Sequence, residues 1–107
     1  MKLLARSEEL ILLAVWKLKK NAYCVPIQAQ LSEITGINWS LGSIYMPLDR
    51  LVKKGYLKSY LSDSTPARGG RHKRIYELTD EGMEALSSVR QVQANMWRDV
   101  PESFKKA

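Results

Sequence analysis

The side chains best suited to chemistry in this sequence are cationic, and they are crowded. Arg68, Arg71, His72, Lys73 and Arg74 fall close together around the pair Gly69–Gly70. Positive groups at this density attract polyanions and speed encounter with them. Two adjacent glycines let the intervening backbone bend and approach a ligand without side-chain obstruction. The charge is local. Residues 36–74 hold eight lysines and arginines (50, 53, 54, 58, 68, 71, 73 and 74) against Asp49 and Asp63, a balance of +6. That equals the formal net charge of all 107 residues, so elsewhere nine bases meet nine acids. Other chemistries find less support. His72 and Cys24 are the one histidine and the one cysteine, too few for a metal site or a nucleophile–base pair. Arg68-Gly69-Gly70-Arg71 is not a phosphate-binding loop of the P-loop type. The carboxylate pairs Glu8-Glu9 and Asp80-Glu81 suit helix N-termini, where the backbone dipole favours acids. The chain is therefore expected to be no enzyme and to need no cofactor or metal.

These cations need a scaffold, and the apolar spacing predicts one. Ser7 is a candidate N-cap, and Ile11, Ala14, Val15 and Leu18 recur at helical intervals, predicting a first helix over about 7–20. Pro26 suits a first helical position, Ile27, Leu31 and Ile34 continue at steps of four and three, and Gly36 supplies a stop, giving a second helix over 26–35. Ser40 can cap a third, in which Leu41, Ile44, Leu48, Leu51 and Val52 mark one face up to Gly55. Pro47 interrupts it. An interior proline removes a backbone bond and costs ~3 kcal/mol, so a bend or irregular first turns are expected within 40–54. Tyr56–Leu61 and Arg74–Leu78 read as strands joined by a turn-rich loop, a hairpin. Thr79 then caps a final helix over about 80–99, ended by Pro101. A chain of this length makes one compact unit, expected as residues 1–79 and a C-terminal helix and tail, 80–107. No apolar run approaches the ~20 residues that span a bilayer. The lone cysteine and the absence of a signal-peptide core suggest a cytoplasmic protein.

Three helices followed by a two-stranded hairpin is the element order of a winged helix-turn-helix, an α+β fold that is mainly α. The second helix of a helix-turn-helix enters the DNA major groove. Here that is the third helix, whose N-terminal part offers Trp39, Ser40, Ser43, Tyr45 and Met46 to base edges, with Arg50 one to two turns further on. Tyr45 has an alternative role, packing under the hairpin. Arg68, Arg71, His72, Lys73 and Arg74 would touch backbone or an adjacent minor groove. The expected partner is double-stranded DNA. A winged helix used for protein–protein contact would not need this basic bias.

Two stretches resemble a known family, the PadR-like regulators. One is Gly42-Ser43-Ile44-Tyr45 followed by Leu48-Asp49-Arg50-Leu51-Val52-Lys53-Lys54-Gly55-Tyr56-Leu57. The other is Gly69-Gly70-Arg71-His72-Lys73-Arg74-Ile75-Tyr76-Glu77-Leu78-Thr79-Asp80-Glu81-Gly82. The resemblance implies a homodimeric DNA-binding repressor whose N-terminal and C-terminal helices form the dimer. It departs from the family where Met46 stands between the tyrosine and Pro47. With one C-terminal helix, the chain is like the family's short subgroup. The sequence itself also asks for a partner there, because the stripe Met83, Leu86, Val89, Val92, Met96 and Trp97 exceeds what so small a body can cover; Leu10 of the first helix would join that interface. Some short relatives bind planar, often cationic compounds against tryptophan. Trp97, Trp16 and Met96 are then candidate effector contacts for a small aromatic or cationic molecule, or simply dimer surface.

Overall fold

The computed structural model describes residues 3–62 and 72–103. Its elements follow the predicted order: α1 (Arg6–Leu18), a single 3₁₀ turn (Lys19–Asn21), α2 (Cys24–Thr35), α3 (Leu41–Lys53), β1 (Leu57–Leu61), β2 (Arg74–Leu78) and α4 (Asp80–Trp97). The strands pair antiparallel, with Leu57 opposite Leu78 and Leu61 opposite Arg74. The loop of the hairpin, residues 63–71, lies outside the described residues, and with it Arg68 and Arg71. No described helix is long and apolar enough to cross a membrane.

One core holds these elements together. Ile11, Leu12 and Val15 of α1 meet Ile27 and Leu31 of α2, Ile44, Leu48 and Leu51 of α3, and Leu57 and Tyr76 of the hairpin. These are the positions that the helical spacing marks as one face on each helix. The hairpin is also tied by its backbone. The Tyr76 N–H donates to the Ala22 carbonyl at 2.8 Å, which joins β2 to the link between α1 and α2. At the other end of the strands, the Ser62 N–H donates to the Lys73 carbonyl at 2.7 Å, and the Lys73 N–H to the Ser62 hydroxyl at 2.9 Å. This winged-helix arrangement is mainly helical, with one small sheet.

Two helix starts and one helix interior correct the sequence reading. Ala5, not Ser7, occupies the N-cap of α1; Glu8 reaches back and accepts from the Ala5 N–H at 2.9 Å. Alanine has no side-chain acceptor, so only the acidic half of a capping box is used. α2 begins at Cys24, which makes Pro26 its third residue; the first turn needs no N–H donors, so proline is tolerated there. Its end at Gly36 is as expected, with φ 71° and the N–H donating to the Ser32 carbonyl. α3 runs through Pro47 with regular first turns. The missing N–H would have reached the carbonyl of Ser43, an exposed residue that water can serve, while the proline ring is buried in the core.

Polar ties fix how α1, α3 and α4 meet. The Lys54 ammonium donates to Glu8 at 2.7 Å, joining the C-cap of α3 to the first turn of α1. Burial raises the Glu8 pKa, but the Lys54 hydrogen bond, the Ala5 N–H and the charges of Lys54 and Arg50 outweigh it, so the carboxyl sits below its ordinary range. Next along α1, Glu9 accepts from the Gln93 amide of α4 at 3.1 and 3.3 Å. The start of α4 is pinned as well. Thr79 accepts from the Gly82 N–H, donates its hydroxyl to the Gly55 carbonyl at 2.6 Å, and donates its N–H to the Tyr56 carbonyl. Gly82 packs so closely that a Cβ there would lie 2.3 Å from the Tyr56 carbonyl oxygen.

Two outcomes follow for stability. Gly82→Ala forces α4 off the turn after α3 and should cost at least the ~1–3 kcal/mol of an overpacked site, against ~1 kcal/mol for loss of the cap in Thr79→Ala, both read from urea unfolding. A depressed carboxylate pKa stabilises the fold above the ordinary carboxylate range, and that contribution is lost as pH falls through the folded value. Glu8→Gln should therefore flatten the acid limb of stability as pH falls from the ordinary carboxylate range through the lower folded value.

Candidate nucleic-acid interface

With Ile44, Pro47, Leu48 and Leu51 buried, the opposite side of α3 must face outward. It carries Tyr45, Met46 and Asp49, with Ser40 and Ser43 at the N-terminal end, and all five are exposed. Tyr45 keeps about half its surface (52%), which answers the alternative left open by its sequence: it is not packed away beneath the hairpin. Ser40 and Ser43 cap the helix. The Ser43 N–H donates to the Ser40 hydroxyl oxygen at 3.1 Å, and the Ser43 hydroxyl donates to the Ser40 carbonyl at 2.7 Å. The Ser40 hydroxyl keeps a hydrogen to donate, at a helix N-terminus that favours anions.

The connection into α3 is braced rather than loose. Thr35 accepts from the Trp39 indole N–H at 3.0 Å and from the Ile37 N–H, while Gln28 donates to the Trp39 carbonyl at 2.6 Å. Trp39 is half-buried and packs on the core. Trp39, expected among the side chains offered to base edges, has its indole donor occupied by Thr35 and its ring against the core, where it holds the turn between α2 and α3. Arg50 is exposed but sits roughly 100° round the helix from Asp49; its charge acts on Glu8, toward the α1 side of the helix rather than the Tyr45 side.

The hairpin lies beside this face. Tyr45, Asp49 and Val52 of α3 line a shallow groove of about 210 Å³ together with Ser59, Arg74 and Tyr76 of the strands. Arg74 donates to the Ser59 hydroxyl at 3.0 Å, which aims its guanidinium along the sheet toward α3. Burial pushes the Tyr76 phenol up from its ordinary range, with the neighbouring Tyr45 phenol adding to the effect. Lys73 departs from expectation. Its ammonium donates to the Tyr23 hydroxyl at 3.0 Å and lies 4.1 Å from the centre of that ring, so it braces the loop end of the strands against the α1–α2 link. His72 is exposed, with Nδ1 against the Ser62 carbonyl.

Two neighbours in this groove were given no role by the sequence reading. Asp49 stands one turn after Tyr45, a spacing that could have placed it on the same face; it pairs with Lys53 at 3.2 Å. Ser59 carries no signal in the chain beyond its strand register.

The candidate effector and partner residues divide along α4. Trp16 lines a groove of about 420 Å³ between α1 and α4 with Leu13, Met83, Leu86 and Arg90, and the Lys19 ammonium lies 3.4 Å from the centre of its ring. Met96 and Trp97 are exposed thirteen and fourteen residues beyond Met83, roughly 20 Å along the helix. Trp16 therefore does not share a site with them inside one chain. Val89 is buried within the chain, Leu10 and Leu86 are half-buried and pack on the core, and Val92 is half-buried. The exposed apolar surface of α1 and α4 is Leu13, Trp16, Met83, Met96 and Trp97.

Comparisons with known proteins agree on one family. The family model for the transcriptional regulator PadR-like family matches residues 12–88. A PadR family transcription regulator from hypervirulent Clostridium difficile is 30% identical, with a TM-score of 0.65 over 88% of each chain. A PadR-like transcriptional regulator from Bacillus cereus is 26% identical, with a TM-score of 0.71 over 87% of this chain and 85% of that one. A PadR-like transcription factor from Bacteroides fragilis gives 25%, 0.70 and 89% of each chain. No curated protein sequence matches.

The exposure of Tyr45 separates reading from packing. Tyr45→Ala should leave the melting temperature within a few degrees, as surface changes of about 0.5 kcal/mol do, while altering the sequences enriched from a random duplex pool. Leu48→Ala, in the same helix, should cost about 2–5 kcal/mol.

Proposed function

Because this chain belongs to the PadR-like family, it is a DNA-binding transcription regulator and not an enzyme, and we propose that it is a homodimeric repressor released by a small aromatic or cationic effector. The carrying observation is the groove that unites Tyr45 and Asp49 of α3 with Arg74 of β2, inside the segment holding the whole net positive charge. In this reading α3 enters the major groove. Ser40 and Ser43 approach phosphate at the helix N-terminus, and Tyr45 and Met46 meet base edges. Asp49 accepts from a cytosine amino group or turns phosphate away. Arg74 holds the backbone beside the groove while Arg68 and Arg71, with His72, extend the contact.

Residues 1–79 form the DNA-binding part, and residues 80–107 the dimerising part. The exposed Met83, Met96 and Trp97 on α4, with Leu13 and Trp16 on α1, support a second copy as the partner, because exposed apolar surface of this extent marks an interface. Two-fold pairing is the commonest assembly and suits a palindromic operator. The groove beside Trp16 supports an effector between α1 and α4, flat enough to stack on the indole and balanced by Glu9 and Arg90 at its rim. Such a protein works in the cytoplasm.

Salt dependence tests the interface. Arg71→Ala with Arg74→Ala should weaken binding to all duplexes and reduce the slope of log K against log salt by about 1–2, measured by fluorescence anisotropy. Unchanged affinity and slope for both operator and random duplex would remove the hairpin from the contact.

A further inference from the structure

We propose that Glu8 is a positioning residue for DNA recognition: it sets the angle of α3 against the α1/α4 pair and so the half-site spacing that the protein selects. The inference rests on the homodimer reading, in which α1 and α4 meet the partner copy. Apolar packing of α3 is non-directional, and a helix held by Ile44, Leu48 and Leu51 alone can rock on the core. The Glu8–Lys54 pair supplies direction. It joins the C-cap of α3 to the first turn of α1 at 2.7 Å, and a charged hydrogen bond has a preferred geometry. Glu8 is itself immobilised, buried to 9% exposure with its other oxygen taken by the Ala5 N–H.

The tie continues toward the partner face. The next residue, Glu9, holds Gln93 of α4. Two neighbouring carboxylates of α1 thus grip the reading helix on one side and the C-terminal helix on the other. The Asp49–Lys53 pair, by contrast, lies within α3 and cannot orient it. A helix of thirteen residues is roughly 20 Å long, so a small rotation about its pinned end moves Ser40 and Tyr45 appreciably. In a two-fold dimer the displacement is doubled between the two half-sites.

The test measures spacing preference. A half-site is obtained by enrichment from random DNA. Duplexes then carry two copies about one helical turn apart, or one and two base pairs more or less. Wild type should favour its best spacing by about tenfold or more over two base pairs away, within the discrimination known for such sites. Glu8→Gln and Lys54→Met should each cut that ratio by at least about threefold, while sedimentation shows a dimer and circular dichroism shows a folded protein. Their affinities for random duplex should move in opposite directions, up for Glu8→Gln and down for Lys54→Met, because one adds and the other removes net positive charge. Glu8→Asp should fall between wild type and Glu8→Gln. An unchanged spacing ratio in either folded variant overturns the proposal, as does a ratio that merely follows random-duplex affinity. Should Glu8→Gln fail to fold, Lys54→Met, altering a half-exposed side chain, decides alone. A wild-type protein that occupies a single half-site as a monomer overturns the homodimer reading as well, and sedimentation of the wild-type complex identifies that case before any variant is compared.

Discussion

Burial of Ile44, Leu48 and Leu51 on one side of α3 is the constraint from which the rest of the interface follows. A helix in contact with a core on one side must show its other side to solvent, and the 3.6-residue period leaves no freedom about which residues those are. Tyr45, Met46 and Asp49 face outward because their neighbours in sequence face inward. The same burial explains the tolerance of Pro47. Its ring contributes to the core, and the backbone bond it forgoes lies at exposed Ser43, where solvent can replace it. The hairpin then stands against the flank of α3 because Leu57 and Tyr76 share the core with Leu48 and Leu51.

Much of this is legible in the sequence. Apolar spacing located all four helices, since burial on one face is what writes that spacing. Gly36 marked the end of α2 because a left-handed residue there is nearly always glycine. The strands were legible from β-favouring residues and from the loop between them. What could not be read were contacts between residues distant in the chain. Lys54 looked like a helix-end cation and proved to hold Glu8, 46 positions away. Lys73 looked like one more member of a basic loop, yet Tyr23 holds its ammonium. The division of the α4 stripe between inward and outward residues was hidden for a related reason. A helical period shows which residues share a face, not whether that face meets α1 or solvent, and Val89 and Leu86 meet α1 and the core.

The polar contacts and the apolar core divide the labour. The core brings α1, α2, α3 and the hairpin together without specifying their angles closely. The ties Glu8–Lys54, Glu9–Gln93 and Thr79–Gly55 run between elements that the core leaves free to turn. Gly82 adds the steric counterpart, a contact so close that only a hydrogen fits. A regulator benefits from this division, because affinity for a polyanion needs only charge, whereas choosing among sequences needs a fixed pose.

The paired hydrogen bonds between Ser62 and Lys73 close the described ladder of the hairpin, one position past Leu61–Arg74. A register pinned in this way, from Leu57–Leu78 to the closing pair, does not depend on how much chain joins its two ends, because loop-closure entropy rises by only ~0.6 kcal/mol for each doubling of length. Descendants of such a chain are free to lengthen or recharge the connection while the paired strands, and the helices they pack on, keep their places.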